Sequence, residues 1–267
     1  MTSTLQATSI APVKPAIGFL SIAAPAYNEE DGITEIVDGW LEHLRKSSGM
    51  ERFEIVICND GSRDKTGILL DARARHAPEI RPVHLERNRG AAVALSTAIQ
   101  HTRGDWVLLI DSDGQFPIGN LEKLVSAVES SAGTAVIGVR TVKRDSLFAR
   151  FGSLASGALC NRFHGSRYRD FNSALKLVPG PLLRSLHLEA RGLNYSTEIT
   201  SKLLERGVRL IEVEIVHLPR KTGKSSLRAV RGAIDRLLFV GYIGFRQLLF
   251  RLRILEKPSS CSSHTTT

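Results

Sequence analysis

The chain is poor in residues that staple small folds or hold soft metals. Its 267 residues include 3 cysteines, Cys58, Cys160 and Cys261, widely spread and odd in number. With no CxxC pair and no Cys/His cluster, the sequence suggests neither a disulfide framework nor a zinc site, and a reducing compartment fits. Long apolar runs are missing as well. The nearest is LLFVGYIGF, Leu237 to Phe245, bounded by Arg236 and Arg246. It falls short of the ~18–20 apolar residues a spanning helix needs. The start, MTSTLQATSIAPVKPAIGF, lacks the basic head and unbroken apolar core of a signal peptide. Residues 1–16 read as a flexible tail and 257–267, KPSSCSSHTTT, as disordered. There is no internal repeat and no low-complexity block.

What remains is ordinary globular composition, 42% hydrophobic and 24% charged. The length suits one large α/β domain, or one domain with a short appendage. A formal net charge of +9 favours anionic partners, although solubility alone accounts for it equally well. A nucleic-acid-binding protein is the reading from another class. No helix-turn-helix signature or aromatic RNA-binding motif supports it, so nucleic acid is not an expected partner.

Strand and helix patterns alternate through the first half. GFLSIAAPAYNEE reads as a strand and polar turn. DGITEIVDGWLEHLRKSS is helical, with Ile33, Ile36, Val37, Trp40, Leu41 and Leu44 on one face. FEIVICNDGS and IRPVHLERNRG are strands, KTGILLDARARHA and AAVALSTAIQHTRG helices, and DWVLLIDSDGQ a further strand. Trp40 and Trp106 read as core. This alternation implies parallel βαβ units with ligands at the carboxyl ends of the strands. Asn28, Glu29, Asp60, Asp111 and Asp113 all fall at such ends. The second half is more mixed. LEKLVSAVES, LFARFGSLASGALCNRFHG and STEITSKLLERG are helical, while TAVIGVR, SALKLVP and VRLIEVEIVHLP are strands.

Asp111 and Asp113 end a strand with one residue between them. Side chains alternate along a strand, so the two carboxylates share a face and can bend towards one ion. Two hard oxygen ligands with open positions suit Mg²⁺ or Mn²⁺ completed by substrate phosphates, and Gln115 can add a neutral oxygen. The plainer reading of Asp-Ser-Asp is a solvated turn. In NDGSRDKT, Asn59, Asp60 and Gly61 form a tight turn in which Asp60 can accept hydrogen bonds from a base ring. Asp64 and Thr66 there are also explained by helix capping.

Taken together, PAYNEE, NDGSRDKT, NRGAAVALSTAIQHTRGDWVLLIDSDGQFP, GVRTVKRD, YRDFNSALKLVP and LNYSTEITSKLLERGVRLIEVEIVHLPRKTGKSSL resemble the family-two inverting glycosyltransferases. They are most similar to the polyprenyl-phosphate branch, typified by dolichol-phosphate mannose synthases, over about Ile17 to Leu227. The resemblance implies a GT-A fold: a mostly parallel sheet flanked by helices, in a catalytic domain spanning 17–227. It implies a GDP- or UDP-sugar donor, a polyprenyl phosphate acceptor, and Mg²⁺ or Mn²⁺. By position it assigns Pro25, Tyr27 and Glu29 to the nucleoside, Asp60 to the base, and Asp111, Asp113 and Gln115 to the metal under the donor pyrophosphate. Arg140 and Arg144 match a basic pair meeting the phosphates, and Arg220 and Lys224 a basic loop folding over the site. One departure stands out: many relatives carry an aspartate where this chain has Asn59.

The usual base candidate is Asp170, beside Arg169. It either deprotonates a hydroxyl acceptor (a saccharide, protein or small molecule) or only positions sugar and loop. The second suits a lipid phosphate, which is already an anion, and the planar forks of Arg140 and Arg144 suit its oxygens. A surface ion pair with Asp145 is the plainer account of that arginine pair. His217 reads as a packed strand-end residue, and Glu198 either touches sugar hydroxyls or lies on an exposed face.

After Leu227 the chain is one long helical candidate, 228–256. Leu237, Gly241, Gly244, Leu248 and Leu255 fall on one side, and Arg228, Asp235, Arg246 and Arg253 on the other, with Arg251 breaking the pattern. An amphipathic helix of this kind suits an anionic membrane surface, which places the protein peripherally at the cytoplasmic membrane face. Packing on the protein itself or in a homo-oligomer interface is the alternative.

Overall fold

The central strands are buried on both faces, and their sequence shows why. Along β1 (Ile17–Ala26), Ile22 and Ala24 enter one core layer and Ala23 the other; Ile55 and Ile57 oppose Val56 and Cys58 in the same way along β2 (Met50–Asn59). Leu108 and then Val107 and Leu109 do so along β4 (Trp106–Leu109). Such continuous apolar runs mark strands covered on both sides by helices.

The computed structural model describes residues 17–47, 50–130, 135–141, 147–190, 192, 194–219 and 229–255; of 50–51, 147–151 and 229–234 it gives the backbone course only. Arg144, Arg220, Lys224, Cys261 and both expected tails lie outside the described residues. The remaining strands are β3 (Ile80–His84), β5 (Ala135–Arg140), β6 (Lys176–Pro179) and β7 (Leu210–Ile215). The helices are α1 (Ile33–Lys46), α2 (Thr66–His76), α3 (Ala91–His101), α4 (Leu121–Ser130), α5 (Leu147–His164), α6 (Gly180–Arg184), α7 (Tyr195–Glu205) and α8 (Ala229–Arg251).

The strands form one seven-stranded sheet in the order β3-β2-β1-β4-β6-β5-β7. Every pairing is parallel except those of β6, which is antiparallel to both β4 and β5. The order reverses beside β1, whose two neighbours are β2 and β4, and such switch points open a crevice at the carboxyl ends of the strands. The inversion of β6 has a second consequence. Its beginning, not its end, lies at that edge, so Asp170 and Lys176 come to the place where Asp111 and Arg140 leave their strands. Helices α1, α2 and α4 cover one face of the sheet, and α3, α6 and α7 the other. Cys58 and Cys160 are buried, and burial pushes both thiols up to about 12, so neither is a nucleophile near neutral pH.

Helix α8 lies against α5, where Val240 and Ile243 join Cys160 and Phe171 in a small separate core. Gly244 belongs to this contact, because a Cβ there would come within 2.7 Å of the Phe163 ring. The spacing groups it with Leu237 and Leu248, which are exposed. Arg246 and Gln247 both bond Glu205 of α7, at 3.0 and 2.8 Å, and Arg246 and Tyr242 also reach Glu189. Just beyond α8, Leu252 and Leu255 are exposed, and its outward side carries Leu237, Leu238, Phe245 and Leu248, also exposed. At ~100° per residue these fall in one stripe. The other side is held to the domain by the ion pairs of Arg246 and by the buried Val240, Ile243 and Phe250. Among the described residues, no helix is long and apolar enough to cross a membrane.

Arg246→Ala should destabilise the docking of α8 by roughly 2–3 kcal/mol, the low end for breaking a buried pair because the arginine is partly in water. Hydrogen exchange along 235–251 should speed up while exchange in β1 and β2 stays slow; uniform protection would contradict this anchor.

Candidate active site

Two loops at the carboxyl ends of β1 and β2 clasp each other. Asn28 takes a left-handed backbone, φ 54°, which asparagine tolerates better than most residues. Its amide N–H donates to Ser62 Oγ at 3.0 Å, and its side-chain oxygen accepts from Arg63 N at 2.9 Å. Glu29 N donates to Thr66 Oγ1, Glu30 N to Asp64, and Lys65 N to the Glu30 carboxylate. Asp64 also accepts from the Thr66 amide and hydroxyl. Pro25 and Tyr27 border this clasp, half-buried, and Glu29 is buried within it.

Asp60 is 1% exposed, and its two oxygens accept the backbone amides of Arg89 and Gly90 at 2.7 and 2.8 Å. It holds the loop before α3 in place, so any further donor has to share these oxygens. Gly61 permits the approach of that loop: its φ is 61°, and a Cβ would lie 2.4 Å from the Arg87 carbonyl carbon. Asn59 is occupied too. Its Oδ1 accepts from Ser62 N, and its Nδ2 meets His84 Nδ1 at 3.1 Å, whose Nε2 meets Asp71. An aspartate at 59 would require a proton on His84 Nδ1, so the amide matches its neighbour.

Asp111 and Asp113 leave β4 beside the end of β1, and Ser112 between them bonds the Pro25 carbonyl at 2.7 Å. Asp111 Oδ1 accepts the Tyr195 hydroxyl at 2.6 Å. Burial, with the charge of Asp113 added, pushes the Asp111 carboxyl up to about 6, against the opposing pull of Tyr195, Arg140 and Lys176. Asp113 Oδ1 accepts the amide of Gln115. Gln115 is tied in turn to the segment after β7: Leu218 N donates to its carbonyl at 2.8 Å, and its side-chain nitrogen approaches the Leu218 carbonyl at 3.3 Å. Its Oε1 is the carboxamide atom suited to a cation. His217 in that segment is buried, tilted against Phe116 with ring centroids 5.0 Å apart, as a packed strand-end residue should be.

Arg140, at the end of β5, grips Asp170 through two parallel bonds of 2.8 and 3.0 Å, and its own amide adds a third of 3.2 Å. The pair is nearly buried, at 12% and 1% side-chain exposure. Arg169, the sequence neighbour of Asp170, turns outward to Glu212 and Glu214. Glu198 is corrected as well. It is buried, accepts the amides of Glu189 and Ala190 and pairs with Lys202, so it neither reaches sugar nor lies on an exposed face.

Two residues escaped the sequence reading. Lys176 is fully buried, and its ammonium donates to the Ser173 carbonyl and to the carbonyl and hydroxyl of Ser196. Burial lowers it to about 7, with Asp170 and Asp111 resisting and Arg140 contributing to the fall. Tyr195, at the first turn of α7, is the other. A lysine in the short apolar run SALKLVP was the available signal for the first; nothing in LNYSTEI marked the tyrosine.

Asp111, Asp113, Arg140, Asp170 and Lys176 thus gather at one sheet edge. Among the described residues, no group of three or more His, Cys, Asp or Glu forms a self-sufficient metal cage. Two carboxylates suffice for Mg²⁺ or Mn²⁺ when phosphate oxygens complete the shell, and the donor set does not suit zinc.

Comparisons with known proteins agree with this geometry. An undecaprenyl-phosphate 4-deoxy-4-formamido-L-arabinose transferase of Edwardsiella ictaluri is 31% identical over 212 residues, 78% of this chain and 63% of the relative. The chain therefore spans less than two thirds of that protein's length. A dolichyl-phosphate beta-glucosyltransferase of Trichomonas vaginalis is 35% identical over 133 residues, 47% of this chain and 41% of the relative. In fold, the chain is similar to glucosyl-3-phosphoglycerate synthase from Mycobacterium tuberculosis, solved with Mn²⁺ and uridine-diphosphate-glucose: TM-score 0.64, 21% identity, 92% and 83% of the two chains. It is also similar to a mannosyltransferase from Pyrobaculum calidifontis solved with GDP-Man and Mn²⁺: TM-score 0.58, 21% identity, 94% and 68%. Glycosyl transferase family 2 matches residues 21–185. With the GT-A architecture and the acidic pair at the switch point, that match shows the chain to be a member of glycosyl transferase family 2.

Proposed function

We propose that this chain moves a sugar from a nucleotide-diphosphate donor to a polyprenyl phosphate, with inversion and with Mg²⁺ or Mn²⁺. The observation that carries the acceptor assignment is the Arg140–Asp170 clamp. A hydroxyl acceptor needs a base to take its proton, and a carboxylate holding three hydrogen bonds from one arginine is poorly basic. A phosphate monoester brings its own negative oxygen. That oxygen attacks the anomeric carbon as the bond from this carbon to the nucleotide's phosphate oxygen breaks, and the nucleoside diphosphate leaves with the electron pair. No proton has to move.

Asp111 and Asp113 would hold the metal, which neutralises charge growing on the departing pyrophosphate. Arg140 places positive charge beside them, with Asp170 as its orienting partner. Pro25, Tyr27, Glu29 and the Asp60-held loop form the walls for the nucleoside. Arg144, Arg220 and Lys224 are proposed to add positive charge around the phosphates. The donor class is supported by the neighbours with UDP-glucose and GDP-mannose, and the acceptor class by the relatives named for undecaprenyl and dolichyl phosphate. The outward stripe of α8, with Arg251 and Arg253 exposed at its end, suits the anionic lipid surface where such an acceptor resides.

Protein incubated with Mn²⁺, a matched GDP- or UDP-sugar and polyprenyl phosphate should release the nucleoside diphosphate and form a chloroform-soluble glycolipid. Asp170→Asn should slow this by roughly 10–100-fold, with a lowered melting temperature as its buried arginine loses a charged partner. Complete loss of turnover in a folded variant, together with glycosylation of water-soluble alcohols only, would favour the hydroxyl-acceptor reading. With Asp111 near 6 in the metal-free protein, Mn²⁺ has to displace a proton in acid. Affinity for Mn²⁺ with nucleoside diphosphate should therefore fall by up to about tenfold per unit below pH 6 and level off above it; calorimetry showing a flat profile from pH 5 to 7 would contradict this. Phe245→Asp with Leu248→Asp should abolish flotation with phosphatidylglycerol vesicles, leaving turnover of a short, water-soluble acceptor unchanged. If the pair instead converts a dimer to monomers without altering flotation, the stripe is a subunit interface.

A further inference from the structure

The buried lysine is hard to explain by stability alone. An ammonium without solvent is costly, and this one sits beside the first turn of α7, where the helix dipole already presents positive charge. A methionine would fill the same strand position without either penalty. What the lysine provides is geometric. Its three N–H groups meet three oxygens: the Ser173 carbonyl ahead of β6, and the Ser196 carbonyl and hydroxyl in α7. Ser196 Oγ passes its own proton back towards Ser173, and Asn172 also lies in reach. The start of β6 and the first turn of α7 are thereby locked together. Tyr195 is the adjacent residue, 4% exposed, with its ring in the core and its hydroxyl on Asp111 Oδ1.

We propose that Tyr195 is a positioning residue for the metal-binding carboxylate, and that the Lys176–Ser196 clasp holds its hydroxyl in register. By occupying Oδ1, Tyr195 fixes the rotation of the Asp111 carboxylate and presents Oδ2 to a cation. Without the phenol the carboxylate turns between several orientations, and binding an ion has to stop that motion. Partners of this outer kind commonly change metal affinity by about 10–100-fold. The clasp acts one step further out, by setting where the first turn of α7 stands relative to the end of β4.

This inference rests on the proposed metal-assisted reaction, and the test separates the two. Mn²⁺ binding is followed by electron paramagnetic resonance on the whole chain, with a nucleoside diphosphate present and no acceptor, so no turnover enters the readout. Binding of the nucleoside diphosphate without metal is measured alongside. Tyr195→Phe keeps the ring in its packing and removes one oxygen. It should raise the Mn²⁺ dissociation constant about tenfold or more and change metal-free nucleotide binding less than twofold. Ser196→Ala, a milder change than removing Lys176, should weaken Mn²⁺ binding in the same direction. Combined with Tyr195→Phe it should add nothing, because both act through one hydroxyl. Wild-type affinity for Mn²⁺ in a folded Tyr195→Phe protein would overturn the role of the tyrosine. Additive losses in the double variant would overturn the role of the clasp. Equal losses with and without metal would show a merely structural effect and overturn both. If the wild-type chain takes up no Mn²⁺ with either GDP or UDP, the metal-assisted reading itself fails.

Discussion

Gathering three carboxylates at one sheet edge works against folding, because each loses water and repels the others. Asp111, Asp113 and Asp170 are held there by two cations, Arg140 and Lys176, and by the Tyr195 hydroxyl. The Arg140–Asp170 pair is the firmest of these contacts: bidentate, nearly buried and braced by a backbone amide. Removing either member leaves a buried charge unmatched, which costs far more than the pair contributes when intact. The protein's own cations thus offset much of the charge of the three carboxylates.

The same economy appears in the loops that follow β1 and β2. Their polar side chains are largely engaged with neighbouring loops. Asp60 secures the turn before α3, Asn59 addresses His84, and Asp64 with Thr66 locks the first two loops together. Their effect is on the shape of these loops. Polar residues at strand ends serve backbone amides before they serve a substrate, because an amide left unpaired in a half-buried loop is expensive.

Helix α8 shows how far periodicity reaches. The spacing of leucine and arginine suggests two sides, and a spacing argument has no means of saying which side meets water. Glu205 and Glu189 decided that by pairing with Arg246. Arg246 turned inward beside the buried Val240, Ile243 and Phe250, while Arg251, Arg253 and the leucine stripe stayed exposed. Glu198 was unreadable for a related reason: α7 is enclosed on nearly all sides, so polarity there reports internal pairing and says little about exposure.

The family's motifs were legible in the linear chain, and local order was enough to predict the alternating strands and helices and the acidic pair at the carboxyl edge of the sheet. Each depends on contacts between residues close in sequence, or on the period of a strand or helix. The direction of β6 was beyond that reach, and with it the arrival of Lys176 and Asp170 beside Asp111. An antiparallel strand between parallel neighbours has the same apolar pattern as a parallel one, since side-chain alternation carries no sign of direction. The partners of Asp170, Asp111 and Arg246 lie 30, 84 and 41 residues away. Pairings over such distances are chosen by packing, and only the folded chain could reveal them.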